Sequence, residues 1–450
     1  MEWTRLISNK RYGMEERDEF RKEYRTQFQR DYDRLIFSAP FRRMQNKTQV
    51  FPLPGSVFVH NRLTHSLEVS SVGRSLGTDV GRLLTDRHPD IDPRLFSSLG
   101  SIVSAACLAH DMGNPPFGHS GEKALSSFFQ EGEGLKLRNY ETESGDCLTD
   151  AQWSDLVHFD GNANAFRLLT HHFEGRRAGG FVMTYSTLAS IVKYPFSSTL
   201  ATKNKFGFFE SEKSAFTKIA DELGLICQER TPNGAIRYCR HPLAYLVEAA
   251  DDICYQIMDI EDAHKLRLIS SEQAIELLMG FFTPEEQKHL HEGYESVTDW
   301  NERIAYFRAC AIGKLEHECV RTFIEHEEEL LNGTFNGPLI EHISSIPAKA
   351  YKACSDYAYA HIYRCKIVVD IELAGYRIMY TLLELMTEAV LHPKRAYSKL
   401  LTDRVSTQYQ LHAPTLYERI MAVVDYVTGM TDVYALDLYR KINGTSLPNV

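Results

Sequence analysis

The stretch HDMGNPPFGHSGE at positions 110–122 places an adjacent His-Asp pair, a second His and a Glu close together. An apolar run at 102–109, IVSAACLA, leads into it. The pattern indicates a buried helix that ends in metal-ligand residue types, followed by a Gly/Pro-rich turn that returns an imidazole and a carboxylate. A plain helix end, with Gly113 as the stop and Pro115 preventing continuation, also explains the pair. Ligands elsewhere in the chain decide between these interpretations.

The composition is that of an ordinary globular protein. The chain has 450 residues, of which 43% are hydrophobic and 24% charged, enough for a large core and more than one subdomain. Its net charge of −10 argues against electrostatic binding of nucleic acid by the whole chain, so a phosphate site would need a local basic pocket. We expect neither a secretory signal nor a membrane span, and the scattered cysteines favour reduced thiols in the cytoplasm.

Hydrophobic periodicity predicts a mainly α fold with minor short β hairpins. Residues 63–83 carry Leu and Val at three- and four-residue steps, and the pattern is helical again from 241 to 441. Residues 46–62 contain prolines and a glycine and predict a loop or small hairpin. The turn signal TPNG at 231–234 separates short β-like pieces within 196–240.

His65, His110, Asp111 and Asp251 form the predicted metal-ligand set. His65 lies one residue off the apolar face of its helix, where a histidine is more often a core or surface residue. Asp251 lies at the border of a buried helical face, where a carboxylate is costly unless a charge or a metal compensates it. Two imidazoles and two carboxylates suit Mn²⁺, Fe²⁺, Zn²⁺ or Mg²⁺ and leave positions open for water and a phosphate oxygen. The absence of cysteine ligands argues against structural zinc.

A polar stripe continues along the helix of Asp251. Its members recur at steps of four, four and three residues and are Asp251, Tyr255, Asp259 and Asp262. We interpret Asp262 as part of a solvated acidic face.

An ordered series of short motifs resembles the HD superfamily of metal-dependent phosphohydrolases. Within it, the series is similar to the deoxynucleoside triphosphate triphosphohydrolases of the bacterial dGTPase type, over roughly residues 30–440. Besides 110–122, the motifs are FRR (41–43), QVF (49–51), HNRLTHSLE (60–68), FDGNANAFR (159–167), KYP (193–195), EAADDI (248–253), ELAGY (372–376) and GMTDVYA (429–435).

The resemblance implies an HD-domain multi-helix bundle and an unusual cleavage. Water attacks the α-phosphorus of a dNTP and the P–O5′ bond breaks, which yields a deoxynucleoside and inorganic triphosphate. One divalent ion per active site is implied, with Mn, Mg or Fe expected before Zn, Co or Ni. The family also implies a homo-oligomer, a hexamer or a tetramer, and some relatives use single-stranded DNA as an effector. Base preference is not fixed by these motifs, although Glu372 and Tyr376 are candidates to face the base.

His119 and Glu122 are the predicted catalytic pair. Three-residue spacing puts them on one helix face, where Glu122 would hold the imidazole in one tautomer. We assign His119 as the general acid/base near the leaving 5′-oxygen, while activation of the attacking water by the pair stays open. An early Glu that counters a helix dipole explains the same spacing, and both roles are compatible. Asn114 stands where some relatives carry another His, so no third catalytic imidazole is expected.

The resemblance also assigns substrate contacts. Arg62, three residues before His65, is expected to reach the α-phosphate, and Lys193 and Tyr194 to contact the phosphates. On the sugar side, Gln49 is expected to read the 3′-hydroxyl, and a tight fit at Val50 is expected to exclude a 2′-hydroxyl. Tyr255 is expected to stack beneath the sugar, and Asp259 to accept a hydrogen bond from the 3′-hydroxyl.

The motifs suggest a division of the chain. Residues 1–62 are interpreted as a helical lead-in, with a helix over Glu15–Tyr32, and a substrate loop. Residues 63–265 form the metal-binding catalytic core, with an exposed excursion at about 130–160. Residues 266–450 would complete the site and provide oligomer contacts.

Two other functions remain open. An HD-type nucleotide phosphatase or cyclic-nucleotide phosphodiesterase would need only the metal set. A regulatory protein that binds single-stranded nucleic acid on an HD scaffold is the alternative of another class. Basic residues of the N-terminal third leave it open, although we favour a solvated helix face or an intersubunit surface as their explanation; they are Arg21, Lys22, Arg25, Arg30, Arg34, Arg42 and Arg43.

Overall fold

The computed structural model describes residues 1–16, 25–51, 59–294 and 296–447. Within these ranges it contains twenty-one α-helices and one two-stranded sheet, which confirms the predicted mainly α fold. None of these helices has the length and apolar character that membrane crossing demands.

The first half of the chain carries eleven helices among the described residues. They are α1 (Trp3–Leu6), α2 (Gln27–Ile36), α3 (Ala39–Arg43), α4 (Arg62–Arg87), α5 (Pro93–Phe96), α6 (Leu99–Ala109), α7 (His119–Gln130), α8 (Asp150–Val157), α9 (Gly161–Thr170), α10 (Tyr185–Ile191) and α11 (Lys213–Leu223). Part of the predicted lead-in helix Glu15–Tyr32 lies outside the described residues. In the described part the helix begins at Gln27, because Thr26 caps it through a reciprocal capping box.

The second half begins with a hairpin and continues with long helices. Strands β1 (Cys227–Arg230) and β2 (Ile236–Tyr238) pair antiparallel on either side of the predicted 231–234 turn, which confirms it. The helices are α12 (Pro242–Lys265), α13 (Ser271–Met279), α14 (Pro284–Tyr294), α15 (Trp300–Glu325), α16 (Glu327–Asn332), α17 (Ser345–His361), α18 (Lys366–Leu391), α19 (Ala396–Thr402), α20 (Leu416–Thr428) and α21 (Asp432–Ile442).

Helices α4 and α6 pack with their backbones in direct contact. Gly73, Gly77 and Gly81 recur every four residues along one face of α4, and Gly73 and Gly77 face α6. A Cβ at Gly77 would lie 2.8 Å from the Leu99 carbonyl oxygen, closer than side-chain atoms approach backbone. The Ser70 hydroxyl also donates to the Ser104 carbonyl, 2.9 Å away. This close packing sets the separation between the start of α4 and the end of α6.

Two hydrophobic cores organise the molecule. The first gathers α4, α6, α10, α12 and α15, and the second gathers α7, α8, α18 and α20. The 130–160 segment is exposed over most of 141–150, while Leu137 and Leu156 are buried in the second core. The buried Arg167 of α9 links α20 to the segment before α11, because it donates to Asp425 and to Glu212.

The close α4–α6 contact predicts that a side chain at Gly77 destabilises the protein. We expect Gly77→Ala to lower the free energy of unfolding by about 1–3 kcal/mol, since the added methyl meets backbone that must move. Thermal or denaturant unfolding monitored by circular dichroism measures this change. The matched control is Gly313→Ala in α15, where nothing lies within 4 Å and alanine should stabilise by about 0.5–1 kcal/mol. Equal midpoints for the two variants would contradict the packing argument.

Candidate active site and metal centre

Three helices bring His65, His110 and Asp251 together. His65 lies in the first turn of α4, which the Asn61 side chain caps by accepting from the Thr64 amide. His110 follows the last residue of α6, and Asp251 lies in the middle of α12. Asp251 Oδ1 is 3.0 Å from His65 Nε2 and 3.4 Å from His110 Nε2. Each residue offers one ligand atom within 4.8 Å of the others, so the cluster could hold a divalent metal ion.

The tautomer of His110 fits a metal ligand. Its Nδ1 lies 2.6 Å from the carbonyl oxygen of Cys107, which can accept only if Nδ1 carries the proton. Nε2 is buried and has no hydrogen-bond partner among the described residues. Burial disfavours the imidazolium, but the charges of Asp111 and Asp251 raise the pKa of His110 to about 9. An excess of negative charge around an unpartnered nitrogen is the environment that a cation satisfies.

Asp111 is held by two neighbours. Its Oδ1 lies 3.6 Å from His110 Nε2 and accepts from Asn114 Nδ2, while its Oδ2 accepts from Arg62 Nη1 at 2.7 Å. Burial opposes the charge, yet Arg62 holds the pKa of Asp111 below its usual range. Asn114 therefore orients a candidate ligand here. The role of Asp111 as a fourth ligand stays a prediction.

A cavity of about 720 Å³ opens beside this cluster. It brings together eleven of the thirteen predicted site residues: Gln49, Val50, Arg62, His110, Asp111, His119, Glu122, Lys193, Tyr194, Asp251 and Tyr255. The other two do not line it. His65 is buried behind Asp251, and Asp259 accepts a hydrogen bond from the hydroxyl of Tyr363. Burial raises the pKa of Asp259 to about 7. Its hydrogen-bond partner Tyr363 does line the cavity.

His119 and Glu122 share the first turn of α7. His119 Nδ1 lies 3.1 Å from Glu122 Oε2, and 74% of the His119 side chain is exposed. The other carboxylate oxygen, Oε1, accepts from the Gly161 amide at 2.9 Å. Burial alone would raise the pKa of Glu122, but the hydrogen bond with His119 and the charge of Lys205 hold it below its usual value. A fixed, ionised carboxylate thus orients an accessible imidazole.

Lys193 and Tyr194 are held by groups behind them. Lys193 Nζ lies 3.1 Å from Glu248 Oε1, and Arg240 donates to Glu248 Oε2 at 2.7 Å. Burial opposes the ammonium, but Glu248 raises the pKa of Lys193 above its usual value. The Arg240 guanidinium also lies 5.6 Å from the ring centre of Tyr194. One carboxylate and one guanidinium therefore position both residues.

Gln49, which also lines the cavity, presents an unpaired acceptor. Its Oε1 is buried and has no hydrogen-bond partner within the described ranges. The ring of Tyr255 stacks against that of Tyr363, with centroids 5.9 Å apart. A buried amide oxygen beside aromatic rings suits a ligand that combines a hydroxyl donor with an apolar face.

The prediction that Asp262 lies on a solvated face is wrong. Asp262 is 3% exposed and accepts from the His60 backbone amide at 2.8 Å. Its Oδ1 also lies 2.9 Å from His60 Nδ1, while Glu68 lies 3.0 Å from His60 Nε2. Burial disfavours the imidazolium, but Asp262 and Glu68 raise the pKa of His60 to about 10. A segment distant in sequence covers the carboxylate and neutralises it.

Comparison with known proteins agrees with this geometry. The HD domain family matches residues 62–178, and the phosphohydrolase-associated domain family matches residues 342–441. A deoxyguanosinetriphosphate triphosphohydrolase-like protein of Synechocystis is 39% identical over 99% of this chain and its own full length. A like-named protein of Pseudomonas aeruginosa is 36% identical over the full length of both chains. The deoxyguanosinetriphosphate triphosphohydrolase of Yersinia enterocolitica is 31% identical over 92% of this chain and 93% of its own.

The chain belongs to this HD-domain triphosphohydrolase-like family. It is therefore a hydrolase of the HD phosphohydrolase class. The predicted resemblance is confirmed. His65 and His110 of the cluster that could hold a metal ion lie within the matched HD domain, and Asp251 follows it in the chain.

The sequence analysis singled out neither Lys205 nor Arg240. Lys205 lines the cavity and lies 3.3 Å from Asp160 Oδ1, and Arg240 pairs with Glu248 behind Lys193. Asp160 is the second residue of the FDGNANAFR motif, but nothing local connects it to a lysine forty-five residues later. The short run Lys203-Asn-Lys205 was the available signal, and it is indistinguishable from a solvated charge cluster.

Removing the His65 imidazole should weaken metal binding at this cluster. We expect His65→Ala to weaken binding of Mn²⁺ by about tenfold or more, because it leaves two of the three clustered ligands. Calorimetric titration of the metal-free protein measures the affinity. The control is His289→Ala, an exposed histidine of α14 outside the cavity. Unchanged affinity in the His65 variant would exclude this cluster as the metal centre.

Proposed function

We propose that the protein hydrolyses dNTPs, dGTP among them, to a deoxynucleoside and inorganic triphosphate with the help of a divalent cation. The observation that carries the proposal is the single cavity shared by the metal-ligand cluster and the His119–Glu122 pair. A phosphatase or phosphodiesterase of the HD type needs only the metal-ligand cluster. The relatives' names supply the substrate class.

The cavity has the charge that a triphosphate requires. Arg62, Lys193 and Lys205 all line it, and Lys193 and Lys205 keep their protons, since neighbouring carboxylates raise the pKa of both against the effect of burial. These cations come from three separate segments of the chain. A polyphosphate held between them would present one phosphorus to the metal cluster and to His119.

His65, His110 and Asp251, with Asp111, would hold the cation. When bound, a divalent ion polarises a phosphate oxygen and positions water. Carboxylate and imidazole ligands accept several divalent ions. On the family resemblance, we assign Mn, Mg and Fe as candidates before Zn, Co and Ni.

We assign the proton transfer in this reaction to His119. As the water oxygen bonds to the α-phosphorus and the P–O5′ bond breaks, the leaving 5′-oxygen needs a proton, and the imidazole can deliver it. Glu122 fixes the imidazole through Nδ1, which leaves Nε2 to face the substrate. The reverse use, in which the same pair takes the proton of the water, needs the same geometry. Both versions predict that the pair is essential.

The unpaired acceptor of Gln49 favours a deoxyribose on its side of the cavity. Its unpaired Oε1 would accept from a 3′-hydroxyl, and Tyr255 would pack under the sugar ring. Val50, beside Gln49, would leave no room for a 2′-hydroxyl. Asp259 would act on this subsite through the hydroxyl of Tyr363.

The proposal also covers the compartment, the oligomeric state and the effector of the enzyme. It is a cytoplasmic homo-oligomer, a hexamer or a tetramer, with single-stranded DNA as a candidate effector. Residues 63–265 form its catalytic core, and the regions before and after complete the site. The basic residues Arg21 and Lys22 lie outside the described ranges, and Arg25 pairs with Asp33.

Replacing His119 tests the mechanism. We expect His119→Ala to lower the rate of triphosphate release by about 10²–10⁴-fold, since it removes the proton-transfer group. The thermal midpoint and the Mn²⁺ affinity should stay unchanged, because His119 is exposed and touches no metal ligand. Ion-exchange separation of nucleoside, triphosphate and monophosphate after incubation with each dNTP measures the reaction.

The matched control is His172→Ala, an exposed histidine outside the cavity, which should retain the parent rate. Full activity of the His119 variant would overturn the assigned role. Release of single phosphates, or of a nucleotide from a cyclic substrate, by the parent protein would instead favour the other HD chemistries.

A further inference from the structure

Two separate segments of the candidate active site donate backbone hydrogen bonds to one carboxylate. Asp432, the first residue of α21, accepts from the Thr48 backbone amide at 2.7 Å through Oδ2. Its Oδ1 accepts from the Phe117 backbone amide at 3.0 Å. Thr48 directly precedes Gln49 on the sugar side, and Phe117 lies two residues before His119. Asp432 itself is 6% exposed and does not line the cavity.

The turn that carries His119 is one that needs external support. Phe117 has φ 62° and Gly118 has φ 55°, and the left-handed region is costly for a bulky residue such as Phe. A strained turn persists only when its surroundings over-determine it. The C-terminal region supplies such contacts, because the Ser120 hydroxyl donates to the Glu372 carbonyl and Gly375 packs against the Phe117 ring.

Lys47 makes a second link between the same parts. Its buried Nζ donates to the Asn114 carbonyl at 2.6 Å and to the Thr428 carbonyl at 2.8 Å. Thr428 is the last residue of α20, and Asn114 lies at the other end of the turn from Phe117. Residues 47–48 and the turn 114–117 are thus each tied to the junction between α20 and α21.

We propose that Asp432 is a positioning residue that sets the distance between the Gln49 segment and His119. This inference rests on the proposed function for its kinetic meaning, but not for its structural content. With one oxygen for each amide, the carboxylate holds the sugar-side wall and the proton-transfer group in register. A shift of either segment would misplace the 5′-oxygen relative to the imidazole, and small misplacements are costly in rate.

Hydrogen exchange tests the positioning directly. The variant is Asp432→Asn, which keeps the size of the side chain but leaves one amide facing an NH₂ group instead of an acceptor. We expect amide exchange in peptides covering 46–50 and 115–120 to accelerate by about tenfold or more, with α4 and α6 unchanged. The matched control is Thr431→Ala, which removes the N-cap of α21 but leaves both amide contacts in place. The control should lower the melting midpoint without changing exchange in the two segments.

Kinetics provide the second readout. We expect Asp432→Asn to lower kcat by about a hundredfold and to reduce the preference for dGTP over GTP by about tenfold. A merely structural defect would reduce the active fraction equally for both nucleotides and would appear in Thr431→Ala as well. Asp432→Ala, which removes both contacts, should enlarge each effect, and Asp432→Asn carries the test if the alanine variant does not fold.

The two arms separate the possible failures. Parent-like exchange at both segments in Asp432→Asn overturns the proposal. Accelerated exchange with unchanged kcat and unchanged nucleotide preference also overturns it, because the positioning would then have no catalytic role. If the parent protein releases no triphosphate from any dNTP, the proposed function fails, while the exchange arm still decides whether Asp432 holds the two segments.

Discussion

The backbone contact between α4 and α6 is the constraint on which the site depends. His65 lies at the start of α4 and His110 just beyond the end of α6, so the separation of these helices sets the distance between the two imidazoles. Gly73 and Gly77 permit that separation, because a side chain at Gly77 would meet the backbone of α6 and one at Gly73 would meet the side chains of Cys107 and Val103. Asp251 then reaches both imidazoles from α12, which packs on the same pair. The ligand cluster is thus a consequence of helix packing.

Charge pairing prepares the cavity before any substrate enters. Three cations already have carboxylate partners: Arg62 with Asp111, Lys193 with Glu248, and Lys205 with Asp160. Each partner compensates the cost of burying its cation and fixes the direction in which it points. A phosphate would therefore meet donors that need little reorganisation, which is how fixed charges contribute to catalysis. The accessible imidazole of His119 is held in the same way by Glu122.

Local sequence patterns predicted the parts of the site but not its connections. Periodicity located α4 and α12, and the His-Asp pair marked the end of α6, so three candidate ligands followed from spacing along the chain. Asp262 was misjudged because its partner His60 lies 202 residues away, and the same periodicity fits a solvated or a covered face. Asp432 gave no local signal for its partner Phe117, which is 315 residues distant. Such pairings are determined by the packing of whole helices, which composition and spacing do not encode.

The two family matches, 62–178 and 342–441, do not correspond to two separate packing units. The helices next to the candidate metal ligands, α4, α6 and α12, pack in the first core, but α7, which begins at His119, buries its apolar face in the second. Phe128 of α7 meets Tyr380 of α18 with ring centroids 5.4 Å apart. Without α18 and α20 the ligand residues would keep their helices, whereas α7 would expose a continuous apolar face and lose its orientation. Because the position of the His119 imidazole depends on that orientation, the C-terminal helices help to shape the candidate active site.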